Sequence, residues 1–284
     1  MITLLYTRHM REDITPRIQE IVRGSEIFFW ENYSVTDNKV RDSIEERYNM
    51  VSRGEVTAGK AGLNWRLGMS YDNNKGVLEM LHGSGVKVYL ERCERSSVGL
   101  KGRMLADGYF DENKIDDALR QMRTHLKQHN AIFVEREKNI SNSLAAYAGL
   151  KKSVTALLGG AHTPVYHELR SRRIDCTQVY PILPFEYDIL SEVLRRERFS
   201  KEITDRMLLQ TVAFGKIALA FLNDFHTIAE SDKMADRVAR RMDEEDLRNM
   251  AKHISENWWR GLPIDIYYDT VRDWLEGNGF IERI

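Results

Sequence analysis

At 284 residues, with 42% apolar and 30% charged side chains, the chain has the makeup of a soluble globular protein with room for one large domain or two modest ones, which excludes a disordered or fibrous polymer. A formal charge of -1 supplies no global field to recruit nucleic acid or an anionic membrane surface. Two distant cysteines, Cys93 and Cys176, have no CxxC neighbour; by themselves they build neither a disulfide framework nor a structural zinc site, and they imply a reduced, cytoplasmic setting.

The opening MITLLYTRHMRED carries only four or five apolar residues before its charges, too few for a signal-peptide core, and ITLLY (2–6) predicts a strand. ITPRIQEIV (14–22) spaces its apolar residues three and four apart, as an amphipathic helix does, with Asp13 to Thr15 at its opening and Pro16 in its first turn. IFFW (27–30) predicts a second strand. From about Asn38 to Asp72 no pattern assigns an element, and the stretch reads as an insertion or a flexible cover over a site. KGVLEML (75–81) predicts a helix, VKVYL (86–90) a third strand and DENKIDDALRQMRTHLKQ (111–128) a long helix. SVTALL (153–158) and CTQVY (176–180) add two more strands, and between them Thr163 is placed to cap a helix that has Pro164 at its first position.

Strand signals stop after PILPFEY (181–187), and the remaining hundred or so residues read as helices. LLQTVAFGKIALAFL (208–222) is interrupted by Lys216 and other polar residues, which predicts a buried helix rather than a membrane span. Trp258 and Trp259 read as core or interface residues, and Gly277 and Gly279 suit a helix stop. Strands that are apolar throughout and alternate with helices predict an α/β fold with a mainly parallel central sheet and flanking helices over 1–182. Residues 183–284 then form a C-terminal all-helical subdomain, packed on the sheet or mediating a homodimer.

Ligands of an open parallel sheet bind beyond the carboxyl ends of its strands, so polar residues placed there are the candidates for a site. His9 follows the first strand, Glu31 and Asn32 the second, Glu91 and Arg92 the third, and His162 the fourth, just past Gly159 and Gly160. Two histidines and a carboxylate at one edge are the makings of a divalent transition-metal site, and they equally suit acid–base chemistry without a metal. Taken singly, a loop histidine or a glutamate after a strand is ordinarily a solvated residue; it is their coincidence at one edge that points to a site.

LLYTRHMREDITPRIQEIVRGSEIFFWENY resembles the opening of the TraB/PrgY and Tiki family, where a GTxH-like turn is followed by a helix and a strand ending in glutamate. VEREKNISNSLAAYAGLKKSVTALLGGAHTPVYHEL resembles the family's second half, an ERxxN-like helix start followed by a strand and a GxxH turn, and GVKVYLERCERS resembles the strand between. The resemblance covers about residues 2 to 182 and extends to a wider superfamily with the erythromycin esterases and the ChaN-type haem-binding proteins. It implies that His9, Glu31 and His162 hold a divalent metal (manganese, cobalt or zinc) or polarise a water. It also implies that Arg136, with Glu135 beside it, serves catalysis by binding a substrate carboxylate or an oxyanion, with Tyr6, Asn32 and Arg92 around the substrate. Tyr6 stands where the family usually has glycine.

The resemblance implies two alternative functions. The first is a metal-dependent hydrolase of a peptide or small ester, whose metal lowers the pKa of a bound water. The second is a non-catalytic protein that captures a peptide signal or a haem-like ligand in the same cleft, in which case Tyr6 is a candidate iron ligand. Neither reading involves nucleic acid or a membrane span.

Overall fold

The computed structural model describes residues 1–7, 14–31, 38–62, 68–92, 98–150, 152–180, 188–221, 228–258 and 262–281. In chain order the elements are β1 (Ile2–Thr7), α1 (Pro16–Arg23), β2 (Ile27–Trp30), α2 (Asn38–Ser52), α3 (Ala58–Gly62), α4 (Gly68–Leu81), β3 (Lys87–Leu90), α5 (Val98–Asp111), α6 (Ile115–Gly149), β4 (Val154–Gly159), α7 (Pro164–Ser171), β5 (Cys176–Val179), α8 (Ile189–Arg198), α9 (Asp205–Ala220), α10 (Ile228–Arg241), α11 (Glu244–Asn257) and α12 (Ile264–Gly277). They fall into two compact units, one of residues 1–95 and 133–186, the other of residues 96–132 and 187–284.

The first unit is α/β. Its five strands are all parallel and lie in the order β3-β2-β4-β1-β5. Because successive side chains of a strand face opposite ways, the apolar runs supply two cores. Leu5, Phe28, Trp30, Val88 and Leu157 pack with Ile18, Val22, Tyr48, Val51, Leu78 and Leu81 of α1, α2 and α4. Leu4, Tyr6, Phe29, Ala156 and Leu158 pack with Ile140 and Leu144 of α6 and with Val165 and Leu169 of α7. Each large side chain so buried contributes roughly 1.5–3 kcal/mol. α1 starts as its sequence predicts, with Pro16 in the first turn and the Thr15 hydroxyl accepting from the Ile18 amide.

The connections β1 to β2 to β3 move one way along the sheet, and β3 to β4 to β5 move the other way. Right-handed crossovers place oppositely directed connections on opposite faces, which is why α1, α2 and α4 cover one face and α6 and α7 the other. The reversal falls between the neighbours β2 and β4, and such a switch point opens a crevice at the strands' carboxyl ends.

In the stretch from 38 to 72, expected as an insertion or a flexible cover over a site, the described residues form α2, α3 and the start of α4, and α2 lies along β3 at the edge of the sheet. Val88 donates its amide to Asn49 Oδ1 (2.8 Å) and accepts from Asn49 Nδ2 (3.1 Å). Leu90 donates to Glu45 Oε2 (2.9 Å), and Ser52 Oγ donates to the Val86 carbonyl (2.6 Å). Side chains spaced three and four apart on one helix thus take the place of a sixth strand along β3, whose open backbone would otherwise invite pairing with another chain.

The second unit is helical. Its core is drawn from α5, the first half of α6 and α8 to α12, with Phe110, Leu119, Met122, Leu208, Val212, Ile217, Val238, Met250 and Trp274 among its buried members. The expected division at 182/183 is therefore corrected: residues 96–132 belong with the helical tail because their apolar positions enter its core. The helix expected over 111–128 is found from Ile115 onward, within α6; Asn113 adopts a left-handed φ of 56° and separates α5 from α6; asparagine tolerates that conformation. Lys216 explains its own place in apolar α9: Nζ donates to Asp111 Oδ1 (2.7 Å) and the Asp107 carbonyl (3.2 Å), while Tyr267 donates to the same Asp111 oxygen (3.0 Å). Among the described residues, no helix is long and apolar enough to cross a membrane.

Candidate functional site

Glu31 is the first residue after β2, and its amide still donates to Leu157 of β4, so its carboxylate is delivered to the switch point. Glu91 holds the same place after β3, its amide donating to the Trp30 carbonyl. His162 ends a single 3₁₀ turn, Gly160–His162, that leaves β4 and runs straight into α7. That turn explains why Thr163 is not the expected side-chain cap: its own backbone is already helical (φ −53°, ψ −28°), and its side chain makes no capping bond.

These groups meet in a buried network. The guanidinium of Arg136 donates from Nε to Glu91 Oε1 (2.8 Å) and from Nη2 to Glu91 Oε2 (2.6 Å), a two-point clasp. The same Nη2 donates to Glu31 Oε1 (2.9 Å). His162 Nε2 lies 2.9 Å from that Glu31 oxygen, and Glu31 Oε2 accepts from the Gly159 amide at 2.5 Å. On the other side of the imidazole, Nδ1 is 3.7 Å from Glu137 Oε1, beyond a direct hydrogen bond but near enough for the charge to count. All five side chains are at most 8% exposed.

Burial by itself would push the His162 imidazole down. The Glu31 carboxylate, helped by Glu137 and opposed by Arg136, overcomes this and holds it up at about 9. At neutral pH His162 is therefore an imidazolium. Arg136 is likewise raised against its own burial, by Glu91 and Glu31.

Of the residues expected at the site, the structure unites Glu31, Arg136 and His162. His9 and Asn32 lie outside the described residues. Tyr6 is fully buried; its hydroxyl donates to the His162 carbonyl (3.3 Å) and its ring stacks on Tyr180 (5.7 Å), so it braces the histidine's backbone. The Arg92 side chain is 60% exposed and pairs with Asp42 (3.3 Å) and Glu45 (3.7 Å) of α2, away from the network. Glu135 is exposed. Arg136 was expected to bind a substrate carboxylate, but its Nε and Nη2 are spent on Glu91 and Glu31, which makes it the clamp of the site.

Sequence reading passes over Glu137 and Phe133 and leaves Glu91 without a role. The missing signal is helical spacing: Phe133, Arg136 and Glu137 precede Ile140, an α6 residue in the sheet core, by seven, four and three positions, and Glu135 does not share that face.

A divalent metal on Glu31 and His162 would have to share Glu31 Oε1 with the Arg136 cation and displace the proton between Glu31 and His162. Among the described residues, no group of three or more His, Cys, Asp or Glu side chains is arranged to hold a metal ion. The described donors as placed, Glu31 and His162, are engaged with Arg136 and with each other.

Compared with known proteins, the chain matches no family model, no curated protein and no solved structure.

Proposed function

We propose that the protein is a hydrolase of ester or peptide bonds whose acid and base are His162 and Glu137. The observation that carries this reading is the 3.7 Å separation of His162 Nδ1 and Glu137 Oε1 beside the switch point of the sheet. An atom placed beside two such groups, off the line that joins them, can lie within hydrogen-bond reach of both. Removing several charged groups from water costs several kcal/mol per ion, and apolar residues of similar volume would stabilise a core at least as well; a charged cluster retained at the ligand-binding edge of a parallel sheet is where chemistry is expected.

In the proposed reaction the Glu137 carboxylate takes a proton from water as the oxygen adds to the acyl carbon. The imidazolium of His162 then gives its Nδ1 proton to the leaving alkoxide or amine as the tetrahedral adduct collapses to acid and alcohol or amine. Returning the proton from Glu137 to His162, directly or through one water, restores both groups. Glu31 holds Nε2 and stabilises the imidazolium, and Arg136 holds the Glu31 and Glu91 carboxylates in place through its hydrogen bonds. The free, buried thiol of Cys176 accords with the reducing, cytoplasmic setting in which we place the reaction.

The test is hydrolysis of a panel of p-nitrophenyl esters and fluorogenic peptides by the purified protein, with and without chelator and with manganese, cobalt or zinc added. Chelator-insensitive turnover that falls by about 10²–10⁴ in His162→Ala, the range of general acid–base catalysis, supports the reading. No turnover of any probe overturns it, and turnover that requires added metal moves the chemistry from the side-chain pair to a metal.

A further inference from the structure

The acid–base pair depends on where the imidazole points, and its hydrogen bonds do not settle that alone. A bond from Nε2 to Glu31 anchors one atom of the ring, while the torsion that sets the ring plane is broad for histidine. Tilting about that anchor swings Nδ1 away from Glu137. Something must hold the plane.

We infer that Phe133 is the positioning residue of this site, a flat platform that fixes the plane of the His162 ring and steadies the guanidinium of Arg136. The Phe133 and His162 rings are parallel to within 3°, with centroids 4.8 Å apart, an offset-stacked contact of the favoured kind. The Arg136 Cζ lies over the same Phe133 ring, 5.2 Å from its centroid, where the negative face of the ring attracts a cation. Phe133 stands on α6 three residues before Arg136 and four before Glu137, so one helix delivers the platform, the clamp and the base in fixed register. A leucine there would fill much of the volume, yet it offers neither a plane nor a π face.

The activity arm of the test rests on the hydrolase reading; a second arm does not. Phe133→Leu and Phe133→Tyr are compared with the wild type by two measurements. In NMR spectra the His162 ring protons, lying over an aromatic face, should be displaced upfield of ordinary histidine positions in the wild type and in Phe133→Tyr, and the displacement should be lost in Phe133→Leu. In hydrolysis of a p-nitrophenyl ester, Phe133→Leu should lose on the order of 10- to 100-fold in kcat with KM little changed, as misplacement of a catalytic group does, and Phe133→Tyr should restore most of it. Undisplaced His162 ring protons in the wild type, or unchanged kcat in Phe133→Leu, overturns the assignment. A wild type that hydrolyses no probe refutes the hydrolase reading instead, and the ring-proton positions still decide the role of Phe133.

Discussion

His162 Nε2 and Glu31 Oε1 are 2.9 Å apart although 131 residues separate them in sequence, because β2 and β4 are neighbours and each hands its polar residue to the same carboxyl edge of the sheet. The pair is buried, and its protonation is therefore part of the protein's stability. The folded imidazole is raised to about 9 from an ordinary 6.5. A raised value means that the contribution is fully present below pH 6.5 and is lost as pH climbs through 9, with a ceiling on the order of 3 kcal/mol. Urea unfolding of the wild type between about pH 6 and 10 should show this decline, and His162→Gln should flatten it. A decline of the same size in the variant would assign it to other groups.

Arg136 neutralises two buried carboxylates at once. Arg136→Met leaves Glu31 and Glu91 without its charge, and removal of one partner from a buried pair typically costs about 3–5 kcal/mol. Adding Glu91→Leu to Arg136→Met should recover part of the loss, since an apolar pair costs less than an orphaned charge. A double variant no more stable than Arg136→Met alone would show that the clasp between Arg136 and Glu91 is not what the single variant loses.

At the sheet edge, Asn49→Leu removes both hydrogen bonds to Val88 while keeping the side chain's bulk. Stability should fall by about 1–3 kcal/mol, the usual cost of unsatisfied buried backbone groups. The Val88 amide should exchange with solvent faster, and association at high concentration should increase. Unchanged exchange at Val88 would mean that α2 does not seal β3.

β1, β2 and β4 are legible in sequence because burial on both faces makes each one a short apolar run between polar breaks, whereas the edge strands β3 and β5 are partly exposed and read from shorter β-prone runs. α2 is harder to read: Ile44, Tyr48 and Val51 carry a helical apolar spacing into the core, but the residues beside them that turn to the sheet edge, Glu45, Asn49 and Ser52, are polar and dilute the pattern. Glu31 stands out as a polar residue immediately after an apolar strand, and His162 as one a single short turn beyond another. Glu137 does not, because it sits among the charged residues of EREK, where only its spacing from Ile140 and Leu144 marks it as inward. Phe133 has no mark of its own in the sequence, and only the imidazole lying flat on it gives it a role.

In the helical unit, Lys216 reaches Asp111 through an apolar helix, and Asp111 also accepts from Tyr267. Lys216→Met should destabilise the protein by about 1–3 kcal/mol through the carboxylate left behind, and adding Asp111→Leu should restore much of it. Calorimetric unfolding of the two variants checks this, and a single variant as stable as the wild type would show that the pair contributes nothing net.

The most direct measurement of the central claim is kcat/KM for a hydrolysed ester probe in Glu137→Gln and Glu135→Gln, side by side. These neighbouring glutamates on α6 differ in burial: Glu137 is 4% exposed and lies 3.7 Å from His162, whereas Glu135 is exposed to solvent. A base at Glu137 predicts a loss of about 10²-fold or more in Glu137→Gln and wild-type turnover in Glu135→Gln. Full turnover in Glu137→Gln, or an equal loss in both variants, would contradict the pairing of His162 with Glu137 on which the proposed chemistry stands.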